Sequence, residues 1–221
     1  MNENLINRIR AFGSHFSSGF IYGFSLRHES VHGLDCSINL PASSRFLFAL
    51  QYKKPTKEDG GVYFFKINNN TKKDQHIRLL LTYLRVGGNV WYAFPLFIDT
   101  LQLSNSSPDF LARTYFAKIV DFPLHTFDRK EHVVEIHEQS GKAYVSSPFK
   151  DELKVYDATK FLGEIEKSKK STVNEIKEKK LTEEEVEVAL KELGFEKEKI
   201  EIILEVLQEI KRQYVRSAFW F

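Results

Sequence analysis

The chain has 221 residues, enough for one medium-sized domain or for one domain with a small appendage. It contains no run of about 18 apolar residues, so no membrane span is expected, and its single cysteine excludes an intramolecular disulfide and a cysteine-based zinc finger. The 32 Lys and Arg against 30 Asp and Glu give a net charge of +2, and the basic excess falls in residues 1–150, which is compatible with a nucleic-acid partner. Because the start of the chain is polar and lacks the apolar segment of a signal peptide, we expect a cytoplasmic protein.

The first part of the chain has weak structural signals. Apolar residues at helical spacing predict an amphipathic helix over residues 2–16, and residues 20–26 fit either a short strand or a second helix. A polar segment follows, which contains Glu29 and His32. Glu29 is either an acid of a functional site or a solvated loop residue, and His32 either contacts a phosphate or is exposed.

Two predicted strands, residues 34–40 and 46–53, organise the rest of the chain. The second is apolar on both faces up to Leu50, as expected of a covered central strand, yet it continues into Gln51 and Lys53. Side chains alternate along a strand, so these two polar residues share one face. Asp35 lies on the preceding strand, which can pair with this one through a hairpin.

The three polar groups suit a metal site with a cation beside it. Asp35 and the side-chain oxygen of Gln51 can supply two of the hard oxygen ligands that Mg²⁺ prefers. Lys53 cannot bind metal while protonated, but it can orient or deprotonate a water, or stabilise charge on a phosphate. The loop over residues 54–61 places Lys54 beside this site, either as a phosphate contact or as an ordinary surface cation.

The next elements predict a crossover. Residues 62–67 form a strand pattern, residues 72–85 an amphipathic helix and residues 90–97 a buried strand. Strand, helix and strand in this order indicate a βαβ unit and a mixed sheet. Gln75 and His76 lie in the first turn of the helix, where free N–H groups favour anions.

The order of these residues resembles the PD-(D/E)XK, or restriction-endonuclease-like, nuclease superfamily. In that superfamily a helical Glu is followed by a strand Asp, by a strand with Glu-or-Gln-x-Lys, and by a helix whose first residues face the cleft. Here the corresponding residues are Glu29, Asp35, Gln51-x-Lys53 and Gln75-His76, within roughly residues 21–97.

The resemblance implies a fold, an activity and a site. The fold is α/β, with a mixed central β-sheet flanked by helices, and the activity is Mg²⁺- or Mn²⁺-dependent hydrolysis of DNA. The expected catalytic residues are Asp35, Gln51, Lys53 and Glu29, the expected metal ligands are Asp35, Gln51 and Glu29, and the expected substrate contacts are Gln75, Lys54 and His32.

Two other interpretations stay open. Gln51 stands where most active members carry Glu, and a neutral amide binds metal more weakly than a carboxylate. The chain can therefore be a nuclease-like fold that binds nucleic acid or a protein without cleaving. It can also be a plain interaction protein, in which Asp35 is a solvated strand-end residue and Lys53 a surface cation.

Later residues predict a helix over 109–120 and a strand over 132–138 that turns into residues 142–146. His132 and His137 are five positions apart, which is the wrong parity for one strand face. This spacing argues against a shared zinc, and we expect both histidines at the surface.

The chain divides into an α/β domain over residues 1–150, a charged linker or solvated helix over 151–180, and a small helical hairpin over 181–221. Thr182 and Glu185 form a capping-box pattern at the start of the hairpin. So short a pair buries little apolar surface alone, so it must pack on the main domain, on a protein partner or on its copy in a homodimer. The pattern Ala-Leu-x-x-Leu-Gly-Phe over residues 189–195 also resembles small UBA-like or RuvA-tail helical modules that bind proteins.

Overall fold

The computed structural model describes residues 20–23, 36–40, 45–68, 74–86, 88–98, 110–146, 150–171 and 181–218. Within these ranges, ten β-strands form two five-stranded sheets, and four α-helices accompany them. The fold is therefore mixed α/β as predicted, although its strands divide between two sheets rather than forming one. The helix predicted over residues 2–16 lies outside the described residues.

The first sheet has the spatial order β1-β2-β3-β6-β7. Its strands are β1 (Phe20–Gly23), β2 (Cys36–Leu40), β3 (Arg45–Tyr52), β6 (Val90–Pro95) and β7 (Thr114–Lys118). Strands β3 and β6 are parallel, whereas the other neighbours are antiparallel. The prediction of a mixed sheet is confirmed, and the segment that fitted either a strand or a helix contributes β1.

The second sheet is antiparallel, with the order β10-β9-β8-β5-β4. Its strands are β4 (Lys57–Asp59), β5 (Val62–Ile67), β8 (His132–His137), β9 (Lys142–Ser146) and β10 (Lys150–Leu153). Gly60 and Gly61, with φ of 58° and 80°, form the two-residue turn between β4 and β5, a backbone conformation that glycine adopts without strain. The predicted loop therefore contains a hairpin, and the crossover joins β3 to β6 rather than β5 to β6.

The four helices are α1 (Gln75–Val86), α2 (Ala158–Ser171), α3 (Glu183–Glu192) and α4 (Lys197–Ala218). The predicted capping box is present at the start of α3, where Thr182 accepts a hydrogen bond from the Glu185 amide and Glu185 accepts one from the Thr182 amide. In the described part of the chain, no helix combines the length and the apolar composition that a bilayer crossing requires.

The helix predicted over residues 109–120 is wrong. The chain there forms a short 3₁₀ turn, Phe110–Arg113, and then strand β7. Thr, Tyr and Phe favour extended backbone because their side chains pack well on a pleated surface. Pairing with β6 buries Phe116 on one face of the sheet and Ala117 on the other. The spacing of the apolar residues resembled a helical period, but successive side chains here point to opposite faces of the sheet, as in a strand.

The first sheet separates two apolar clusters. The larger cluster lies between the two sheets and includes α1, α3 and α4; its members include Ala49, Phe65, Leu80, Phe94, Val134, Val186 and Ile203. The smaller cluster covers the opposite face of the first sheet with α2, and its members include Leu50, Trp91, Phe116, Phe161 and Ile165. The C-terminal helices therefore pack on the main domain, which was one of the three predicted arrangements.

Of the two alternatives for the charged segment, the structure shows a helix over residues 158–171, with one face buried rather than fully solvated. Residues 151–171 complete β10 and form α2, which buries Phe161, Leu162 and Ile165 against the first sheet. The Glu164 carboxylate of α2 lies 2.7 Å from Lys118 Nζ on β7 and 2.8 Å from Lys167 Nζ. Hydrogen bonds from these two ammonium groups lower the pKa of Glu164 to about 2.

This carboxylate predicts a pH-dependent contribution to stability. The folded pKa lies below the ordinary value of 4.5, so the contribution is complete above that pH and is lost as the pH falls toward 2. We expect Glu164→Gln to lower the melting temperature at pH 7 and to lower it by a clearly smaller amount near pH 2.5, measured by circular dichroism. A difference of the same size at both pH values would contradict this expectation.

Candidate functional site

Two of the predicted site residues, Gln51 and Lys53, lie at the carboxyl end of the parallel pair of strands. Gln51 is level with Tyr92 of β6, and the Lys53 amide donates a hydrogen bond to the Ala93 carbonyl at 2.9 Å. In open α/β sheets, ligands bind outside the carboxyl ends of parallel strands. The polar end of β3 is thus at the position where a ligand is expected.

Lys53 and Gln75 come together at this end of the sheet. The Lys53 ammonium donates a hydrogen bond to Gln75 Oε1, and its Nζ lies 5.7 Å from the centre of the Tyr92 ring. Gln75 is the first residue of α1, and its side chain is buried. The half-buried ammonium and the amino end of α1 therefore form one region of positive potential, which suits a phosphate.

Gln51 is more deeply placed than the prediction implies. Its side chain is 3% exposed, and its Nε2 donates a hydrogen bond to the Tyr52 carbonyl at 3.0 Å. It lies on the same sheet face as Ala49, toward α1 and the larger apolar cluster. An oxygen ligand from this residue would therefore act from the floor of the site rather than from its rim.

Three predicted site residues, Glu29, His32 and Asp35, lie outside the described residues. The described part of β2 begins at Cys36, which is opposite Leu50. Leu50 immediately precedes Gln51, so β2 enters the sheet beside the candidate site.

The basic loop after β3 contains Lys54 and Lys57. Lys54 is exposed. Lys57 is paired with Asp59 at 2.8 Å on β4, so its charge is largely balanced locally. Of the cations in this segment, only Lys53 contacts Gln75 in the described structure.

His76, which the resemblance groups with Gln75 at the cleft, lies beside the site but inside the core. It is fully buried, with Nδ1 3.0 Å from the Tyr92 hydroxyl and Nε2 3.1 Å from Thr126 Oγ1. The Thr126 hydroxyl donates to the Pro123 carbonyl at 2.7 Å, so it accepts from Nε2–H, and Nδ1 accepts from the tyrosine. Burial, reinforced by the nearby His132 and Lys53, lowers the pKa of His76 well below its ordinary value, so the ring is neutral.

The sequence contained one signal for the burial of His76. Every residue from Gln75 to Thr82 is buried, so the first two turns of α1 are enclosed on all sides, whereas residues 83–85 are half-buried. Between Gln75 and Thr82 the helix carries one formal charge, Arg78, and such a composition is compatible with complete burial.

The expectation that His132 is a surface residue is wrong. It is 1% exposed, and its Nε2 lies 2.8 Å from Asp128 Oδ1. The other oxygen of Asp128 lies 3.3 Å from Lys199 Nζ on α4. Burial alone would raise the pKa of Asp128, but hydrogen bonds from His132 and the Lys130 amide, with the Lys199 charge, hold it below its ordinary value.

The described ranges contain no cluster of side chains that is suited to a metal ion. No group of three His, Cys, Asp or Glu side chains among residues 20–23, 36–40, 45–68, 74–86, 88–98, 110–146, 150–171 and 181–218 is placed to hold an ion. Of the predicted ligands, only Gln51 belongs to those ranges. The described arrangement can bind and neutralise an anion through Lys53.

Comparison of the chain with protein-family models, with curated proteins and with solved structures finds no significant match.

Proposed function

We propose that this chain is a metal-dependent nuclease that hydrolyses phosphodiester bonds of DNA. The observation that supports it is the contact between Lys53 and Gln75 at the carboxyl end of β3. The two residues are 22 positions apart in the chain, and both belong to the pattern that resembles the PD-(D/E)XK nucleases. If the two residues matched the pattern only by chance, we would expect them at unrelated places on the protein rather than in contact.

Lys53 is the proposed catalytic side chain among the described residues. Its ammonium donates one hydrogen bond to Gln75, which orients the side chain beside the amino end of α1. A cation fixed at this position can neutralise the charge that develops on the phosphate oxygens during attack. It can also orient the attacking water in line with the bond that breaks.

Oxygen atoms of Asp35, Glu29 and Gln51 are the proposed ligands of Mg²⁺ or Mn²⁺. Hard oxygen ligands suit these ions, and a divalent ion at this place would supply further charge stabilisation at the phosphate. The fit is supported by the pairing of Cys36 with Leu50, since Asp35 precedes the first residue and Gln51 follows the second.

The proposal also includes the partner, the cellular compartment and the oligomeric state. DNA is the proposed partner, and a chain whose single cysteine can form no internal disulfide suits the reducing cytoplasm. Cutting both strands of a duplex requires two sites, so a homodimer also remains a prediction.

A plasmid-nicking assay tests the activity. We expect the wild type to nick supercoiled plasmid with Mg²⁺ or Mn²⁺ but not with EDTA, and Asp35→Asn to be slower by at least about a hundredfold because a charged ligand is lost. Asp59→Asn is the matched control, because its carboxylate is exposed on β4 and pairs only with Lys57 among the described residues' ion pairs. If Asp35→Asn cleaves as fast as the control, the metal assignment is refuted.

One observation favours a second candidate, a nuclease-like fold that binds DNA without cleaving it. Gln51 presents a neutral amide in a nearly enclosed position, which is a poor ligand for a divalent cation. This candidate predicts DNA binding that is unchanged by EDTA, together with no nicking under any metal condition. Metal uptake measured by calorimetry and lost in Asp35→Asn would exclude it.

A further inference from the structure

The first turn of α1 is attached at two points to the segment 128–129. At the first point, the Asp74 carboxylate lies 3.1 Å from Arg129 Nε, an ion pair without hydrogen-bond alignment. The other end of the same guanidinium lies 2.7 Å from Glu209 Oε1 on α4. Arg129 therefore joins the residue before Gln75 to the C-terminal helices.

The second attachment is on the other side of Gln75. The His76 amide donates to Asn68 Oδ1 at 2.9 Å, and Asn68 Nδ2 donates to the Asp128 carbonyl at 2.8 Å. The Asp128 carboxylate then lies 3.3 Å from Lys199 Nζ, again on α4. Asn68 is buried, with a φ of 54°, a left-handed conformation that asparagine tolerates better than most residues.

Both chain neighbours of Gln75 are thus connected to α4 through two consecutive residues, Asp128 and Arg129. Gln75 itself holds the Lys53 ammonium. A displacement of the first turn of α1 would move Gln75 Oε1 and would release or redirect that ammonium. The C-terminal helices are in addition packed into the same apolar cluster as α1, so the two attachments act on a shared, rigid core.

We propose that Arg129 and Asp128 are positioning residues for Lys53, and that α3 and α4 serve as a brace for the candidate site. The brace is inferred from the contacts described above, whereas its effect on catalysis rests on the proposed nuclease function. This role differs from that of a tethered module that only recruits a partner. A tethered module would not need hydrogen bonds and ion pairs on both sides of one site residue.

The exposure of the ion pairs determines which measurement is informative. The Arg129 side chain is 38% exposed and that of Glu209 is 40% exposed, so their pairing adds little to global stability. Loss of this ion pair should therefore have a local effect. We expect faster hydrogen exchange of the amides in the first turn of α1 and greater accessibility of the Lys53 amine.

The test compares Arg129→Met with Lys191→Met, which breaks the exposed Glu187–Lys191 pair of 2.6 Å within α3. In Arg129→Met we expect amide exchange over residues 74–78 to accelerate by about fivefold and acylation of Lys53 to become faster by a similar factor, with a nearly unchanged melting temperature. Lys191→Met should match the wild type in all three measurements. Arg129→Lys keeps the charge, but its ammonium cannot join Asp74 to the carboxylates of α4 as the guanidinium does, so this variant should lie between Arg129→Met and the wild type.

Kinetics provide the second readout. We expect Arg129→Met to lower kcat by about tenfold with an unchanged KM, because a misplaced Lys53 impairs the transition state and not substrate binding. Unchanged exchange over residues 74–78 and unchanged acylation of Lys53 would overturn the brace. If both change while no variant, including the wild type, cleaves DNA, then the brace holds and the proposed nuclease function fails.

Discussion

Replacing Lys53 by methionine is expected to lower the rate of phosphodiester cleavage by at least about a hundredfold, the usual cost of removing one preorganised charge from a reacting centre. Methionine keeps an apolar stem of similar length beside the Tyr92 ring, but it lacks the ammonium that donates to Gln75. The measurement is single-turnover cleavage of an end-labelled duplex at saturating Mg²⁺, so that substrate binding does not limit the rate.

Two further variants separate chemistry from folding. Lys53→Met removes a donor from the buried Gln75 oxygen, which costs about 1–3 kcal/mol of stability. The double variant Lys53→Met/Gln75→Leu removes both partners, so we expect its stability to recover while its activity stays lost. Lys160→Met, an exposed cation of α2, is the control for loss of positive charge. A Lys53→Met rate within about threefold of this control would remove Lys53 from the mechanism.

Local pattern was enough to select Gln51, Lys53 and Gln75 from the sequence. Two of them end an unusually apolar strand, and the third starts the next helix, so their types and positions were informative without any knowledge of the fold. Their meeting was not predictable in the same way. It depends on β3 and β6 being parallel neighbours, which brings the first turn of α1 over the end of β3.

The two buried histidines show what a local pattern cannot reveal. The ring of His76 binds Tyr92 and Thr126, which are 16 and 50 positions away, and no periodicity connects them. For His132 the alternation was informative, because it shares a strand face with Val134 and Ile136, and that face is buried. The pattern could not reveal its partner, the Asp128 carboxylate, which lies 2.8 Å from the buried ring.

The same limit applies to the sheets. Alternation located β5, β8 and β9 as strands, but it could not show that β5 pairs with β8 in a second sheet. In the chain, β6 and β7 lie between these two strands, and both belong to the first sheet. Strand pairing is set by which apolar faces can be covered together, and this depends on all the segments at once.

Replacing His76 by alanine is expected to lower the free energy of unfolding by about 3–5 kcal/mol, as for other large buried rings. The ring stacks on Phe127 with centroids 4.2 Å apart and meets Phe122 at 4.8 Å, so its removal leaves a cavity in the aromatic part of the core. The loss is a large share of the 5–15 kcal/mol that typically stabilises a domain. Urea denaturation measures it.

His125→Ala is the matched control for this prediction. The His125 side chain is half-buried and lies 3.5 Å from the Asp151 carboxylate, and Lys199 binds its backbone carbonyl, which the substitution retains. We expect this variant to lose about 1 kcal/mol or less. A loss for His76→Ala no larger than that of the control would mean that the ring is not packed as described.

The pH dependence of His76→Phe tests the buried neutral imidazole itself. In the unfolded chain the histidine binds a proton below pH ~6.5, whereas burial holds the folded pKa well below that value. Acidification therefore destabilises the wild type through this residue, by about 1.4 kcal/mol between pH 7.5 and 5.5, and it cannot act on phenylalanine. The stability advantage of the wild type over His76→Phe should shrink by that amount. All other titrating groups are common to both proteins, so they do not affect the comparison. A stability advantage that stays constant with pH would show that a proton reaches His76 in the folded state. The hydrogen bonds with Tyr92 and Thr126 would then not hold the ring neutral.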